Sequence, residues 1–86
     1  MDNNIESRVE IIAKIIEEVS GIPRDKINKD SAFLDDLDLS SLELMSIVAE
    51  IEHTFSVSIP EKELVSLETV IELAELIGQK TEAQGK

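Results

Sequence analysis

Few side chains in this chain could do chemistry, and they gather near its middle. Ser40 and Ser41 stand side by side, Asp35, Asp36 and Asp38 precede them, and His53, the single histidine, follows Ser41 by twelve residues. Ser40 reads as a helix N-cap and Glu43, three residues on, as its capping-box partner, so the pattern predicts a helix starting at Ser41. The Ser41 hydroxyl then sits in the first turn, open to solvent and to another protein, while capping occupies the Ser40 hydroxyl. A nucleophilic serine needs a base within hydrogen-bond reach. His53 is about 18 Å further along the same helix at about 1.5 Å per residue, which excludes a hydrolase site within one subunit. The acidic cluster does not make a calcium loop either. Counted from Asp36, such a loop needs glycine sixth and glutamate twelfth, and those positions hold Ser41 and Ile47. No catalytic residue and no metal ligand is expected, and Ser41 is a group to be acted upon.

Composition narrows what could act on it. Eighty-six residues make a single domain, near the size at which one core becomes marginal. The chain is 42% apolar but only 2% aromatic, so its core must be aliphatic and little in it could stack on bases. A net charge of −11 argues against nucleic acid and anionic membrane, and for partners with basic surfaces. There is no cysteine, hence no disulfide, thiol nucleophile or thiolate metal site. The start, Met1-Asp2-Asn3-Asn4, lacks the features of a signal peptide, and no apolar run approaches the roughly 20 residues of a membrane span. A cytoplasmic monomer is expected.

The elements that must position Ser41 follow from apolar spacing. Asn3 or Asn4 caps a first helix to Val19 or Ser20, closed by Gly21 with Pro23 beyond. Ile5, Val9, Ile12, Ile16 and Val19 fall on one stripe, widened by Ile11 and Ile15, leaving Glu6, Arg8, Glu10 and Lys14 for solvent. From Ile22 to Leu39 no period persists. This reads as a long loop pinned to the core by Ile22, Ile27, Phe33, Leu34 and Leu37, and loops of that length are often functional.

The second helix runs from Ser41 to Thr54 or Phe55, with Leu44, Ile47, Val48, Ile51 and Phe55 facing the core. Leu42, Met45 and Ala49 form a second apolar group on another side. Glu43, Ser46, Glu50 and His53 keep the outer arc polar, so the patch is a docking surface unless the next short helix folds over it. Val57 to Pro60 is extended, Glu61 to Val65 makes a turn or two of helix, and Ser66 or Thr69 opens a last helix closed at Gly78. Residues 1–78 thus form one domain and 79–86 a polar, flexible tail. The fold class is all-α, a small up-down bundle of three main helices plus one short helix.

The order Phe33-Leu34-Asp35-Asp36-Leu37, Ser41-Leu42-Glu43, Glu50-Ile51-Glu52, Phe55 and Ile59-Pro60-Glu61, after the opening Ile5-Glu6-Ser7-Arg8-Val9, resembles the acyl carrier proteins over roughly Ile5 to Ile77. The resemblance implies a carrier, and no catalyst, that bears acyl groups as thioesters on a covalent 4'-phosphopantetheine arm taken from coenzyme A. It places the attachment site at Ser41 and partner docking at Asp36, Asp38, Leu42, Glu43, Met45, Ala49 and Glu52. It further implies a phosphopantetheinyl transferase, an acyltransferase or acyl-ligase, and a ketosynthase among the partners, and a cargo sheltered between the second and short helices. The pathways implied are fatty-acid, polyketide or related acyl synthesis.

The chain departs from the family pattern in three ways. Ser40 replaces the usual aspartate before the modified serine, Asp38 replaces a glycine, and Ser46 and His53 replace carboxylates on the second helix. These departures favour a specialised carrier over a housekeeping one. The lack of glycines before Ser41 favours acyl over peptidyl cargo. The competing expectation is a helical protein-interaction module with no prosthetic group.

Overall fold

The computed structural model describes residues 4–84, with side chains described as far as Thr81. Four helices follow in order: α1 (Ile5–Ser20), α2 (Ser41–Phe55), α3 (Glu61–Leu64) and α4 (Val70–Gln84), with a single 3-10 turn at Arg24–Lys26. This is the all-α arrangement of three main helices and one short one read from the sequence. α1 packs against both α2 and α4. The core is almost wholly aliphatic: Ile12, Ile16, Ile47, Ile51, Leu73 and Ile77 are fully buried, and Phe33 is the one aromatic among them.

α1 begins and ends on local chemistry. Asn4 Oδ1 accepts from the Glu6 N–H, and Gly21, at φ 83°, closes the helix by donating its N–H to Glu17 O. The predicted stripe is buried at Ile12, Ile15 and Ile16 and half-buried at Ile5, Val9 and Val19, with Ile11 at its exposed edge, and Ala13 is buried beside it. Arg8 is a correction. It is not left to solvent: its Nε donates to Ala74 O at 2.8 Å and its guanidinium lies over Gly78.

That contact explains a second correction. α4 does not close at Gly78 but runs through it to Gln84. A Cβ at Gly78 would come 2.6 Å from Arg8 Nη2, so this glycine serves a close approach between α1 and α4 and terminates nothing. The tail expected over 79–86 is helical as far as Gln84, and its last two residues lie outside the described residues. Of the two predicted starts for α4, Thr69 is the one used. Its Oγ1 accepts from Glu72 N at 3.4 Å while Glu72 Oε1 accepts from Thr69 N and Glu68 N. Ser66 instead donates to Glu63 O.

The long loop is held by more than its apolar pins. Phe33 N donates to Glu68 O, Val70 N to Ser31 O and Ile71 N to Lys29 O, around an isolated antiparallel bridge between Ala32 and Thr69. Ile27, Phe33 and Leu37 are buried as expected, and Leu39 joins them. Leu34 does not: it is 62% exposed, because its neighbour Phe33 takes the inward direction.

Gly21 sits in the left-handed region with nothing near its missing Cβ, so the cost of adding a methyl there is conformational alone. Gly21→Ala is expected to lower stability by about 1 kcal/mol, read as a fall in the thermal midpoint of about 4–8 °C for a domain of this size. An unchanged midpoint would show that the helix end relaxes to another conformation.

Candidate functional site

The turn before α2 is built to deliver one residue. Ala32 O accepts from both Asp36 N and Leu37 N, Asp36 Oδ2 accepts from Ala32 N at 2.7 Å, and Leu39 N donates to Phe33 O. Leu37 and Leu39 are buried on either side of Asp38. The chain can bury both only by turning sharply between them, and Asp38 supplies the bend at φ 53°. Aspartate is among the few side chains that enter this region readily, so it performs here the backbone task that a glycine would.

The capping box predicted from the sequence is present. Ser40 Oγ accepts from Glu43 N at 3.1 Å and Glu43 Oε1 accepts from Ser40 N at 3.0 Å. Leu44 N donates to Ser40 O. Among the described residues this leaves the Ser41 and Leu42 N–H groups at the start of α2 without an acceptor, and the Ser41 hydroxyl without a hydrogen-bond partner. Ser41 is exposed. Its neighbour Ser40 is also exposed, but its hydroxyl oxygen is held by the cap.

Beside Ser41 a groove of about 480 Å³ opens between the start of α2, the loop and α3. Phe33, Leu34, Leu44, Met45, Leu64 and Val65 give it an apolar lining, and Asp35, Glu61 and Glu68 contribute carboxylates. Between Asp35 and Glu63 the only Lys or Arg is Lys62, so the surface around Ser41 is strongly negative. A phosphoester on the Ser41 oxygen would meet the positive end of the α2 dipole and its two unpaired N–H groups. The nearby carboxylates oppose it only weakly, since they are exposed and screened by solvent and salt. The residues present therefore fit a phosphate-linked arm, with an apolar groove next to its root.

The expected docking residues do not form one uniform surface. Leu42 is 78% exposed and Met45 63% exposed, and Ala49 is exposed with them. The alternative in which the short helix folds over this patch fails, because α3 lies across the groove from α2. The carboxylates have work inside the chain. Glu43 closes the cap, Asp36 closes the preceding turn, and Glu52 Oε2 accepts from Ile59 N at 2.7 Å, tying the extended segment to α2. Asp38 is exposed at the bend, and His53 is exposed near the far end of α2.

Two groove residues escaped the sequence reading. Val65, 75% exposed, follows a helix too short to have a period, and Leu34 sits in an aperiodic loop where no alternation says which of two neighbours points in. The only signal for either was an apolar residue next to a turn.

Comparison with known proteins follows the same lines. Residues 10–77 match the family described as "Phosphopantetheine attachment site". An acyl carrier protein of Beutenbergia cavernae is 46% identical over 59 residues, covering 69% of this chain and 72% of that one. One from Kineococcus radiotolerans is 42% identical over 74 residues, covering 86% and 88%. A meromycolate extension acyl carrier protein of Mycobacterium leprae is 41% identical over 73 residues, covering 85% of this chain and 63% of its own length.

The chain belongs to the acyl carrier protein family. It is a carrier of acyl groups on phosphopantetheine rather than a catalyst, and it works with acyl-processing enzymes. No helix among the described residues is long and apolar enough to cross a membrane.

The cap is testable apart from any function. Ser40→Ala is expected to cost about 1 kcal/mol, and Ser40→Asp to recover most of it, in urea unfolding followed by circular dichroism. Unchanged stability in Ser40→Ala would mean that the Ser40 hydroxyl does not act as the cap.

Proposed function

We propose that Ser41 is the residue that bears the 4'-phosphopantetheine arm. The observation that carries this reading is a free, exposed hydroxyl in the first turn of α2, at the serine of the Ser41-Leu42-Glu43 motif. When bound, the arm supplies a terminal thiol for thioester formation. The chain supplies everything else. Ser40 and Glu43 hold the helix start open, the first-turn N–H groups offset charge at the phosphodiester, and the groove lined by Leu44, Met45, Leu64 and Val65 is available to an aliphatic acyl chain.

Partner docking is assigned to Asp36, Asp38, Leu42, Glu43, Met45, Ala49 and Glu52. Their carboxylates attract basic surfaces at a distance, and Leu42 with Met45 gives brief apolar contact, Met being able to adapt to several partners. The partners proposed are a phosphopantetheinyl transferase, an acyltransferase or acyl-ligase, and a ketosynthase. The setting proposed is a cytoplasmic monomer that forms a single carrier domain. Ser40 in place of the usual aspartate, and Ser46 and His53 in place of carboxylates, make α2 less acidic than is usual for the family. That favours a dedicated pathway of fatty-acid or related acyl synthesis over a housekeeping role, and the likeness to a meromycolate extension carrier fits a long aliphatic cargo.

Incubation with a phosphopantetheinyl transferase and coenzyme A is expected to add about 340 Da to the intact chain, the mass of the transferred arm that carries the reactive thiol. Ser41→Ala is expected to abolish the gain. A gain that survives this change moves the site, with Ser40 the next to test, and no gain in the unmodified sequence leaves only a non-covalent interaction module. Met45→Glu is expected to raise the transferase KM about tenfold while leaving kcat within about twofold, since it removes contact area and adds a charge at the docking patch. Equal turnover at low carrier concentration would remove Met45 from that patch.

A further inference from the structure

The wall of the groove opposite α2 is its weakest part. α3 spans four residues, none of them buried, and Pro60 at its start gives no side-chain cap. Its backbone bonds are local: Leu64 N to Pro60 O, Val65 N to Glu61 O, Leu67 N to Leu64 O. Leu64 and Leu67 are only half-buried against the core. So short a helix has no stability of its own in water, and something else must set its position.

Glu63 is the candidate. Its Oε1 is sealed from solvent and takes part in no hydrogen bond, yet Lys80 Nζ stands 2.8 Å from it as an ion pair. The Glu63 side chain as a whole is 37% exposed and the Lys80 side chain 22% exposed. Lys80 lies on the stretch of α4 beyond Gly78, the part the sequence reading took for a frayed tail. The extra helix therefore places a cation against Glu63 of α3.

We propose that Lys80 and Glu63 are positioning residues for the carrier's cargo: their ion pair latches α3 to the end of α4 and so sets how far the groove beside Ser41 can open. Without Lys80 the Glu63 carboxylate, 37% exposed and so within reach of water, loses its tie to α4. α3 is then held only by its local backbone bonds and the half-buried Leu64 and Leu67, so it swings open more easily. Opening α3 moves Glu61, Leu64 and Val65, which form that side of the groove. A cargo chain that needs more room than the closed groove offers must do the same against the latch. The pair thus tunes which chain lengths are sheltered and which stay exposed to partners.

The reference to cargo rests on the carrier reading, but the latch itself does not, and its test is made on the unmodified chain. Amide hydrogen exchange is expected to speed up about three- to tenfold at Leu64 and Val65 in Lys80→Ala, with amides of α1 and α2 unchanged. Lys80→Arg and the double exchange Glu63→Lys with Lys80→Glu are expected to return the rate to near that of the parent. Uptake of N-phenyl-1-naphthylamine, a neutral apolar dye, is expected to rise in Lys80→Ala and fall back in the double exchange. Unchanged exchange in α3, or an equal rise throughout the molecule, overturns the latch. Failure of Ser41 to accept the arm would leave these measurements as they are.

Discussion

Helix α2 starts with N–H groups that nothing inside the helix can satisfy, and how they are shared out decides what this protein can do. Ser40 takes the Glu43 N–H with its side chain, and Glu43 returns the favour to Ser40 N–H. Two remain open at Ser41 and Leu42. A cap one residue later would have tied up the Ser41 hydroxyl itself. With the cap at Ser40, the next hydroxyl stands free at the positive end of a fifteen-residue helix.

Holding that end in place falls to a loop with almost no regular structure. Phe33, Leu37 and Leu39 are buried while Asp35, Asp36 and Asp38 stay outside, so hydrophobic burial and charge solvation pull in compatible directions. Backbone bonds from Phe33, Val70 and Ile71 fasten the same loop to the start of α4. The result is a rigid approach to Ser41 from one side and a lightly held α3 on the other. The sheltering and release proposed for the acyl group need this asymmetry, since a groove with two firm walls would neither admit nor release it.

The aliphatic core is consistent with that use. Isoleucine and leucine fill the interior with little aromatic bulk, and the groove is lined mainly by aliphatic side chains such as Leu44, Leu64 and Met45, with Phe33 the one aromatic among its lining residues. The acidic exterior, part of a net charge of −11, suits the basic partner surfaces proposed for α2. The same carboxylates also bond inside the chain at Asp36, Glu43 and Glu52. The proposed steering and the internal structure therefore draw on one set of residues, and a change at any of the three is expected to perturb both.

Local chemistry by itself determined the parts that rest on neighbouring residues. The Asn4 and Ser40 caps, the Gly21 stop, the buried stripes of α1 and α2, and the exposed Ser41, Leu42 and Met45 all follow from spacings of one to four residues, where the backbone alone dictates who meets whom. Tertiary packing decided the rest. Gly78 looked like a stop and is a seat for Arg8; Leu34 looked like an anchor and points outward; the supposed tail is helix, and carries the lysine that meets Glu63. Each of these depends on a residue far away in the chain. A glycine, an apolar side chain in a loop or a lone charge near a terminus has no preferred partner until the fold supplies one.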